Sequence, residues 1–257
     1  MITDVRKHYD IVLTYGDLHL PTTNTKLQDN LLQIISDIQP TGIIDGGDII
    51  NSDSLSTFPK THDQLAGLQF DLDEGEKWMW RVNAASNKSW KVLLKDNHFI
   101  RRLENKKKGQ YWMHELNALN AEQLLGCDKT GWQLLNEYKW KDTILFLHGD
   151  DNAYNTISRN PVNKVRNMVK DVGISIVRYH SHTSGIEILK QHGQDRLAIQ
   201  IGTFQDAKKA NYIKHAATIN WTTSAGIFYL SKKTDEFVYT PILFVNGKTV
   251  VNGIIYD

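Results

Sequence analysis

The chain has 257 residues, enough for one large domain or two small ones with a sizeable core. Its 40% hydrophobic and 23% charged residues are ordinary for a globular protein. The net charge of +1 gives no global attraction to a polyanion, although a local basic patch stays open. The single cysteine, Cys127, excludes an internal disulfide and fits a reducing compartment. Without a signal-like or membrane-spanning apolar run, we expect a cytoplasmic protein with no membrane partner.

The first half of the chain alternates strand-like and helix-like segments. Short apolar runs predict strands at residues 10–15, 42–45 and 90–94. Leucine and isoleucine at helical spacing predict a helix over residues 26–38, and Thr61 is expected to cap another over residues 62–85. This order is typical of parallel strands joined by helical crossovers.

The second half begins with helical character and then becomes rich in strands. A helix is predicted over residues 111–126, and a short one at Asn160-Pro161, where asparagine is the cap and proline the first helical residue. Asn246-Gly247 is a strong hairpin turn. Strands are predicted at residues 143–148, 175–177, 187–189, 197–201, 225–230, 237–245 and 249–255. No repeat or linker interrupts the chain, so one domain spanning residues 1–257 is expected.

Polar side chains follow the predicted strands up to residue 182. They are Asp17, His19, Asp48, Asn97, His98, His148, His180 and His182. In open α/β sheets, ligands bind beyond the carboxyl ends of the strands. Taken singly, each residue has a structural explanation, because aspartate and asparagine favour turns. The preference of aspartate and asparagine for turns does not explain why five of the ten histidines also lie at such positions. We therefore expect a functional site there.

The chemistry of this set indicates metal ions. Histidine, carboxylate and amide oxygen together suit Mn²⁺, Fe or Zn²⁺, whereas calcium prefers oxygens alone. Seven ligands drawn from these eight residues would be too many for one tetrahedral ion and enough for two. Two ions roughly 3.5–4 Å apart are the usual device for activating water and clamping a phosphoryl group.

The order of these residues resembles the calcineurin-like metallophosphoesterase superfamily. The matching motifs are Gly16-Asp17-Leu18-His19, Gly47-Asp48, Asn97-His98, His148-Gly149 and His180-Ser181-His182. The resemblance implies an α/β (α+β) fold of four layers, in which two mixed β-sheets are flanked by helices and the metals lie at the strand ends. A helical insertion at about residues 52–89 would lie near the metal face.

The resemblance also implies a role for each residue. The first metal would be held by Asp17, His19 and His182, and the second by Asn97, His148 and His180. Asp48 would bridge the two, a bridging hydroxide would attack phosphorus, and His98 would protonate the leaving oxygen. The implied cofactors are two divalent metal ions. Mn²⁺ is the first choice, and Fe, Zn²⁺ or Ni²⁺ are the alternatives.

Three positions depart from the pattern of the family. The usual G-N-H-[DE] block reads Asp96-Asn97-His98-Phe99, which adds one carboxylate and removes another. In the protein-phosphatase branch, an acid three residues beyond the bridging aspartate pairs with the catalytic histidine. Asn51 stands there, and its amide oxygen would orient His98 without favouring the protonated imidazole.

Basic residues after the proposed acid bear on the substrate. Arg101 and Arg102 are candidates for phosphate contact, because arginine binds phosphate with two hydrogen bonds. Lys106, Lys107 and Lys108 suit a phosphodiester backbone, but a solvated helix face explains them equally well.

Three functions remain open at this point. The first is a phosphodiesterase acting on DNA, RNA or nucleotides, similar to the DNA-repair nucleases of the superfamily. The second is a phosphomonoesterase or small-nucleotide hydrolase, and the third is a non-catalytic metal-binding module with a degenerate site. The strand-rich C-terminal part offers a surface for a homodimer.

Overall fold

The computed structural model describes residues 5–57, 67–86, 88–150, 160, 162–210 and 220–257. The predicted cap Thr61 and the helix-starting Pro161 lie outside these residues, as does part of the predicted insertion. Asn160 is described, and its Oδ1 accepts a hydrogen bond from the amide of Val162 at 3.0 Å. In the part of the chain described, no helix is both long and apolar enough to cross a membrane.

The strands account for most of the architecture. In chain order they are β1 (Tyr9–Tyr15), β2 (Gly42–Asp45), β3 (Trp90–Leu94), β4 (Gln133–Leu135), β5 (Glu137–Trp140), β6 (Ile144–Leu147), β7 (Ser175–Arg178), β8 (Gly185–Gln191), β9 (Gln194–Gln200), β10 (Thr223–Ser231), β11 (Phe237–Phe244), β12 (Thr249–Val251) and β13 (Ile254–Tyr256). The helices are α1 (Thr25–Ile38), α2 (Leu68–Ala85), α3 (Arg102–Lys107), α4 (Tyr111–His114), α5 (Ala121–Leu124), α6 (Cys127–Thr130) and α7 (Val162–Val172). Short 3₁₀ turns cover Val5–Lys7, Asp53–Leu55 and Asn117–Leu119, and a π-helical turn covers Asn97–Arg101.

The strands form two mixed sheets and a small hairpin. The first sheet has the order β11-β10-β1-β2-β3-β4, and the second has the order β5-β6-β7-β9-β8. Strands β1 to β4 are parallel, and β10 and β11 extend that sheet in antiparallel fashion. In the second sheet, β6, β7 and β9 are parallel and the two edge strands are antiparallel. Within the described residues, β12 and β13 form a separate two-stranded hairpin.

Side-chain alternation along the strands divides the interior into layers. Val12, Ile44 and Val92 point into a core between the sheets, where they meet residues of the second sheet such as Phe146 and Val177. Their neighbours face the opposite side and pack against α1 and α2; they include Leu13, Ile43 and Leu93. The apolar side of α7 covers the outer face of the second sheet. The predicted four-layer α/β (α+β) sandwich is confirmed.

Two segments differ from the prediction. The helix predicted over residues 111–126 is broken into α4, a 3₁₀ turn and α5, because Asn120 caps α5 through its side chain and Gly126 has a φ of 74°. Strands β4 and β5 were not predicted. The predicted strand over residues 249–255 is two strands, since Asn252 and Gly253 both adopt positive φ and form a turn.

Candidate metal centre

All the predicted ligands lie in loops at the carboxyl ends of β1, β2, β3, β6 and β7. Backbone hydrogen bonds connect these loops. The amide of Asp17 donates to Gly47 O at 2.9 Å, and the amide of His19 donates to Asp48 O at 2.8 Å. The loop after β7 is attached similarly, since the amide of His180 donates to Asp17 Oδ2 at 2.9 Å. The sheet order therefore brings distant sequence motifs to one edge of the sandwich.

Most of the candidate ligands have an unusual backbone conformation. Positive φ values occur at Asp17 (52°), His19 (51°), Asp48 (51°), His180 (74°) and His182 (58°). Such conformations are uncommon outside glycine and cost about 1–3 kcal/mol when they are held in place. Aspartate and histidine tolerate them better than most residues. Their concentration here indicates that the fold holds these side chains for a function.

Gly47 allows the loops to approach one another. Its φ is 95°, and a Cβ at this position would lie 2.9 Å from Leu94 O and 3.0 Å from His148 Nδ1. A side chain would therefore push apart the loops that carry Asp48 and His148. The glycine of the G-D motif is thus required by both conformation and space.

Four side chains form the first group of ligand atoms: Asp17, His19, Asp48 and His182. The Nε2 atoms of His19 and His182 lie 2.9 Å apart. Asp17 Oδ1 lies 3.5 Å from His182 Nε2, and Asp48 Oδ2 lies 3.6 Å from His19 Nε2. All four residues are buried.

The second group shares Asp48 with the first and adds His148 and His180. Asp48 Oδ2 lies 3.4 Å from His148 Nε2. The same nitrogen lies 2.9 Å from Oδ1 of Asn97, which brings the amide oxygen to this group. His148 Nδ1 is 2.8 Å from Gly46 O, and this contact orients the ring so that Nε2 faces the group.

The residues present fit two metal ions. Asp17 Oδ1, Asp48 Oδ2 and His180 Nδ1 are buried atoms that make no hydrogen bond to any described residue. Buried polar atoms normally have partners, so such atoms within the two groups are typical of residues that ligate cations. The mixed nitrogen and oxygen donors suit Mn²⁺, Fe or Zn²⁺. The two groups coincide with the two ligand sets expected from the sequence, with Asp48 common to both.

The two ligand groups contain the residues that the resemblance of the sequence motifs implies for two metals. No protein-family model matches the chain. It is similar to the gene 54 protein of Mycobacterium phage D29, with 22% identity over 257 residues that cover 96% of this chain and 98% of that protein. Similar solved structures include Vps29 of Cryptosporidium parvum, with 14% identity, 95% coverage of both chains and a TM-score of 0.49. Another is the phosphoesterase YfcE of E. coli, with 11% identity, coverage of 91% of this chain and 98% of that one, and a TM-score of 0.40.

Charge at the candidate metal centre is set by burial and by the crowding of imidazoles. Burial, helped by His98, lowers the pKa of His19 well below its ordinary value. Burial and the neighbouring His148 lower the pKa of His180 to about 4. Burial also opposes the charge on His148, but the Asp48 carboxylate raises its pKa to about 10. Because metals bind the neutral imidazole, His19 and His180 are ready to ligate, whereas His148 must first lose a proton.

Asp96, the additional carboxylate, is occupied by main-chain hydrogen bonds. Its Oδ1 accepts from the amides of Phe99 and Ile100 at 2.8 and 3.1 Å, and its Oδ2 accepts from the amide of Asp48 at 3.0 Å. Asp96 therefore caps the turn that carries His98 and fixes the backbone of Asp48. Phe99 is fully buried in the helical core, so the second departure points away from the site.

His98 lies beside the first group, with its ring centroid 4.5 Å from that of His19. Its Nδ1 lies 3.2 Å from the main-chain carbonyl of Asn51, so Nδ1 donates and Nε2 is left for proton transfer. The side chain of Asn51 turns elsewhere, donating from Nδ2 to Asp53 at 2.7 Å. The ring of His98 is thus oriented by the main-chain carbonyl of Asn51, and not by its side-chain amide as expected. Burial lowers the pKa of His98, as does Arg102, although Asp48 opposes this shift.

The two candidate phosphate-binding arginines both have protein partners. Arg101 forms an ion pair with Asp150, with Nη2 and Oδ2 2.5 Å apart. Arg102 donates from Nη1 to the Asn51 carbonyl at 2.7 Å, the same oxygen that orients His98. Arg102 therefore positions the Asn51 loop that contacts His98, the proposed general acid. Arg101 is half-exposed and links the loops after β3 and β6.

Two residues near the centre were not singled out from the sequence. The Trp221 ring packs edge-on against His182, with centroids 4.3 Å apart, and the next residue, Thr222, donates its amide to His182 O at 2.9 Å. Asp45, fully buried, accepts from the amide of Gly47 at 3.0 Å and so shapes the turn before Asp48. Trp221 follows no predicted strand and has no motif spacing, so the sequence offered no signal for it.

Metal binding should stabilise the protein measurably. At about 100 times the dissociation constant, a ligand that binds only the folded state adds about 2.7 kcal/mol. For a chain of this size, that corresponds to a rise in Tm of about 5–10 °C. We expect this rise when Mn²⁺ is added to metal-free protein, measured by differential scanning fluorimetry, and its reversal by EDTA. Ca²⁺, which prefers oxygen ligands, is the control and should raise Tm less. Equal shifts with both ions would contradict the mixed-donor site.

Proposed function

We propose that the protein is a metal-dependent phosphohydrolase that cleaves phosphodiesters of nucleic acid or nucleotides, in a reducing, cytoplasmic setting. The observation that carries the proposal is the position of Asp48 between two complete ligand groups, with His98 beside them. Two divalent ions held there would supply Lewis acidity for the phosphoryl oxygens and the attacking water.

The protein's own groups account for the remaining requirements. The ligand loops are fixed by main-chain hydrogen bonds, so the centre is organised before substrate arrives. His98 lies beside His19, and its Nε2 is available for proton transfer because Nδ1 is bound to the Asn51 carbonyl. Near neutral pH, its lowered pKa favours the neutral ring, but the negative charge of a bound phosphate raises the pKa again. His98 then donates a proton to the leaving oxygen.

A diester preference is supported by the space beside His148 of the second group. A cavity of about 440 Å³ is lined by this histidine, by Arg101 and Lys95, and by the acids Asp96, Glu104, Glu137 and Asp150. It leaves room for a second ester group on the phosphate, which a site adapted to monoesters does not need. Arg101 is near enough to exchange its partner Asp150 for a phosphate oxygen.

Hydrolysis of two activated esters tests the proposal. Metal-free protein is loaded with Mn²⁺, and release of p-nitrophenolate is measured from bis(p-nitrophenyl) phosphate and from p-nitrophenyl phosphate. We expect turnover of the diester to exceed that of the monoester and to disappear with EDTA. Preference for the monoester would replace the proposal with a phosphomonoesterase or small-nucleotide hydrolase. Two bound metals without turnover of either ester would indicate a metal-binding module.

A further inference from the structure

A basic and aromatic surface begins where the turn that carries His98 ends. Residues 101–112 contain five arginines or lysines and one glutamate, in a chain whose net charge is only +1. Lys106 and Lys108 are exposed on and just after α3. Tyr111 and Trp112 follow and are 88% and 56% exposed. We call Lys106, Lys108, Tyr111 and Trp112 the α3–α4 surface.

The exposure of the two rings calls for a partner. Large aromatic side chains seldom lie this open to water beside one another unless they contact something. The indole of Trp112 is held at its edge, where Nε1 donates to Gln110 Oε1 at 3.0 Å. A fixed ring needs little reordering to accept a flat group. Nucleobases stack on such rings whatever their sequence, and adjacent lysines bind the phosphates.

Two adjoining cavities extend from His148 to the segment that follows this surface in the sequence. The cavity that reaches His148 shares Lys95, Ile100 and Glu104 with a second cavity of about 320 Å³. The second is lined by residues 114–122, immediately after the exposed rings. Its acid Glu104 is paired with Lys107 at 3.1 Å.

The lining of the two adjoining cavities suits bases better than phosphates. Neutral amide side chains line it at Asn117, Asn120 and Asn136. Its remaining acids include Glu122 and Glu137, which would repel a backbone phosphate. Phosphates would instead be attracted to the exposed Lys106 and Lys108, which are not part of this lining, so the charge distribution separates backbone from bases.

We propose that the α3–α4 surface binds a single-stranded nucleic acid whose scissile phosphate lies at the metal centre. The inference rests on the proposed function and names its substrate class. The six residues of α3 span about 9 Å and separate the turn of His98 from the rings in the sequence, so the bound strand would extend over several nucleotides. A single strand is required because stacked, paired bases in a duplex do not present their faces to the rings.

Binding is measured first, with cleavage prevented. Metal-free protein is titrated into fluorescein-labelled oligothymidylate in EDTA, and fluorescence anisotropy is followed at several salt concentrations. Tyr111→Ala/Trp112→Ala should weaken binding about tenfold or more. Lys106→Gln/Lys108→Gln should reduce the slope of log affinity against log salt by about 1.4. The matched control is Trp80→Ala/Lys233→Gln, which removes an exposed ring and an exposed lysine elsewhere and should bind as the wild type does.

Three results would overturn the inference. The first is wild-type affinity in Tyr111→Ala/Trp112→Ala, and the second is equal affinity for the duplex of the same length. The third is loss of self-association in that variant, by sedimentation velocity, without loss of oligonucleotide binding, which would make the rings a contact between copies.

Cleavage assays separate this inference from the proposed function. With Mn²⁺, the ratio of oligonucleotide cleavage to bis(p-nitrophenyl) phosphate hydrolysis should fall in Tyr111→Ala/Trp112→Ala and not in the control. Ring-dependent oligonucleotide binding without hydrolysis of either substrate would support the surface and refute the proposed function. Hydrolysis of the small diester without oligonucleotide binding would support the function and refute the surface.

Discussion

Asp48→Asn should remove both metal ions and with them all metal-dependent hydrolysis. Asp48 is the residue that the two ligand groups share, so its loss affects both ions at once. Asparagine is the better replacement than alanine because it keeps the shape and tolerates the φ of 51° at this position. Loss of an outer-shell partner costs about 10–100-fold in metal affinity, and a shared ligand should cost more than that. Metal content is measured by plasma mass spectrometry after dialysis against Mn²⁺.

The control for this variant is Asp195→Asn, which removes an exposed carboxylate paired with Lys190 far from the centre. It should keep two metals and full turnover of bis(p-nitrophenyl) phosphate. Circular dichroism of both variants establishes that they are folded. If folded Asp48→Asn retained two metals per chain, the carboxylate would not bridge the ligand groups, and the assignment would be wrong.

His98→Gln should slow the hydrolysis of ordinary esters while leaving metal binding intact. General acid catalysis contributes about 10²–10⁴-fold, and this loss should appear with alkyl leaving groups, which depart poorly without a proton. A p-nitrophenolate leaves readily unprotonated, so hydrolysis of bis(p-nitrophenyl) phosphate should fall much less. The measurement is kcat/KM for a thymidine dinucleotide and for the activated diester, with metal content determined in parallel.

The matched control is His8→Gln, an exposed histidine near the N-terminus. Equal losses with both leaving groups would show that His98 positions the phosphate rather than donating a proton. Unchanged rates with both would remove His98 from the mechanism altogether. Either result would leave the metal centre unaffected, since His98 belongs to neither ligand group.

The strands and their polar ends were predictable because two strong local signals agree there. Short apolar runs predicted β2 and β3 with the bounds that the structure has, and polar residues follow at once. Tertiary context decided the rest. β4 has three residues and follows Gly131 in left-handed conformation, so its pattern is too short to predict a strand. Helical periodicity over residues 111–126 was real, but asparagine capping outweighed it.

The individual contacts at the site were harder to predict from the sequence than the residues that form it. The sequence predicts Asp96 as an additional carboxylate near the metals. In the structure, both of its oxygens accept hydrogen bonds from main-chain amides. Asn51 was expected to act through its side chain and meets His98 through its carbonyl. Sequence specifies which residues reach a site, whereas the choice between side chain and backbone depends on loop geometry. Neither Trp221 nor the partners of Arg101 and Arg102 could be predicted for the same reason.

The position of β1 in the first sheet affects when the metal centre can form during synthesis of the chain. Asp17 and His19 follow β1, which lies between β2 and β10 in the first sheet. The ribosome makes their partner ligand His182 long afterwards, and β10 later still. A growing chain can form β1, β2 and β3 early, but its ligand loops lack their second half until residue 182 has emerged. Growing chains that stop short of residue 182 therefore lack part of the candidate metal centre, and the first ligand group can be completed only after His182 has reached Asp17 and His19.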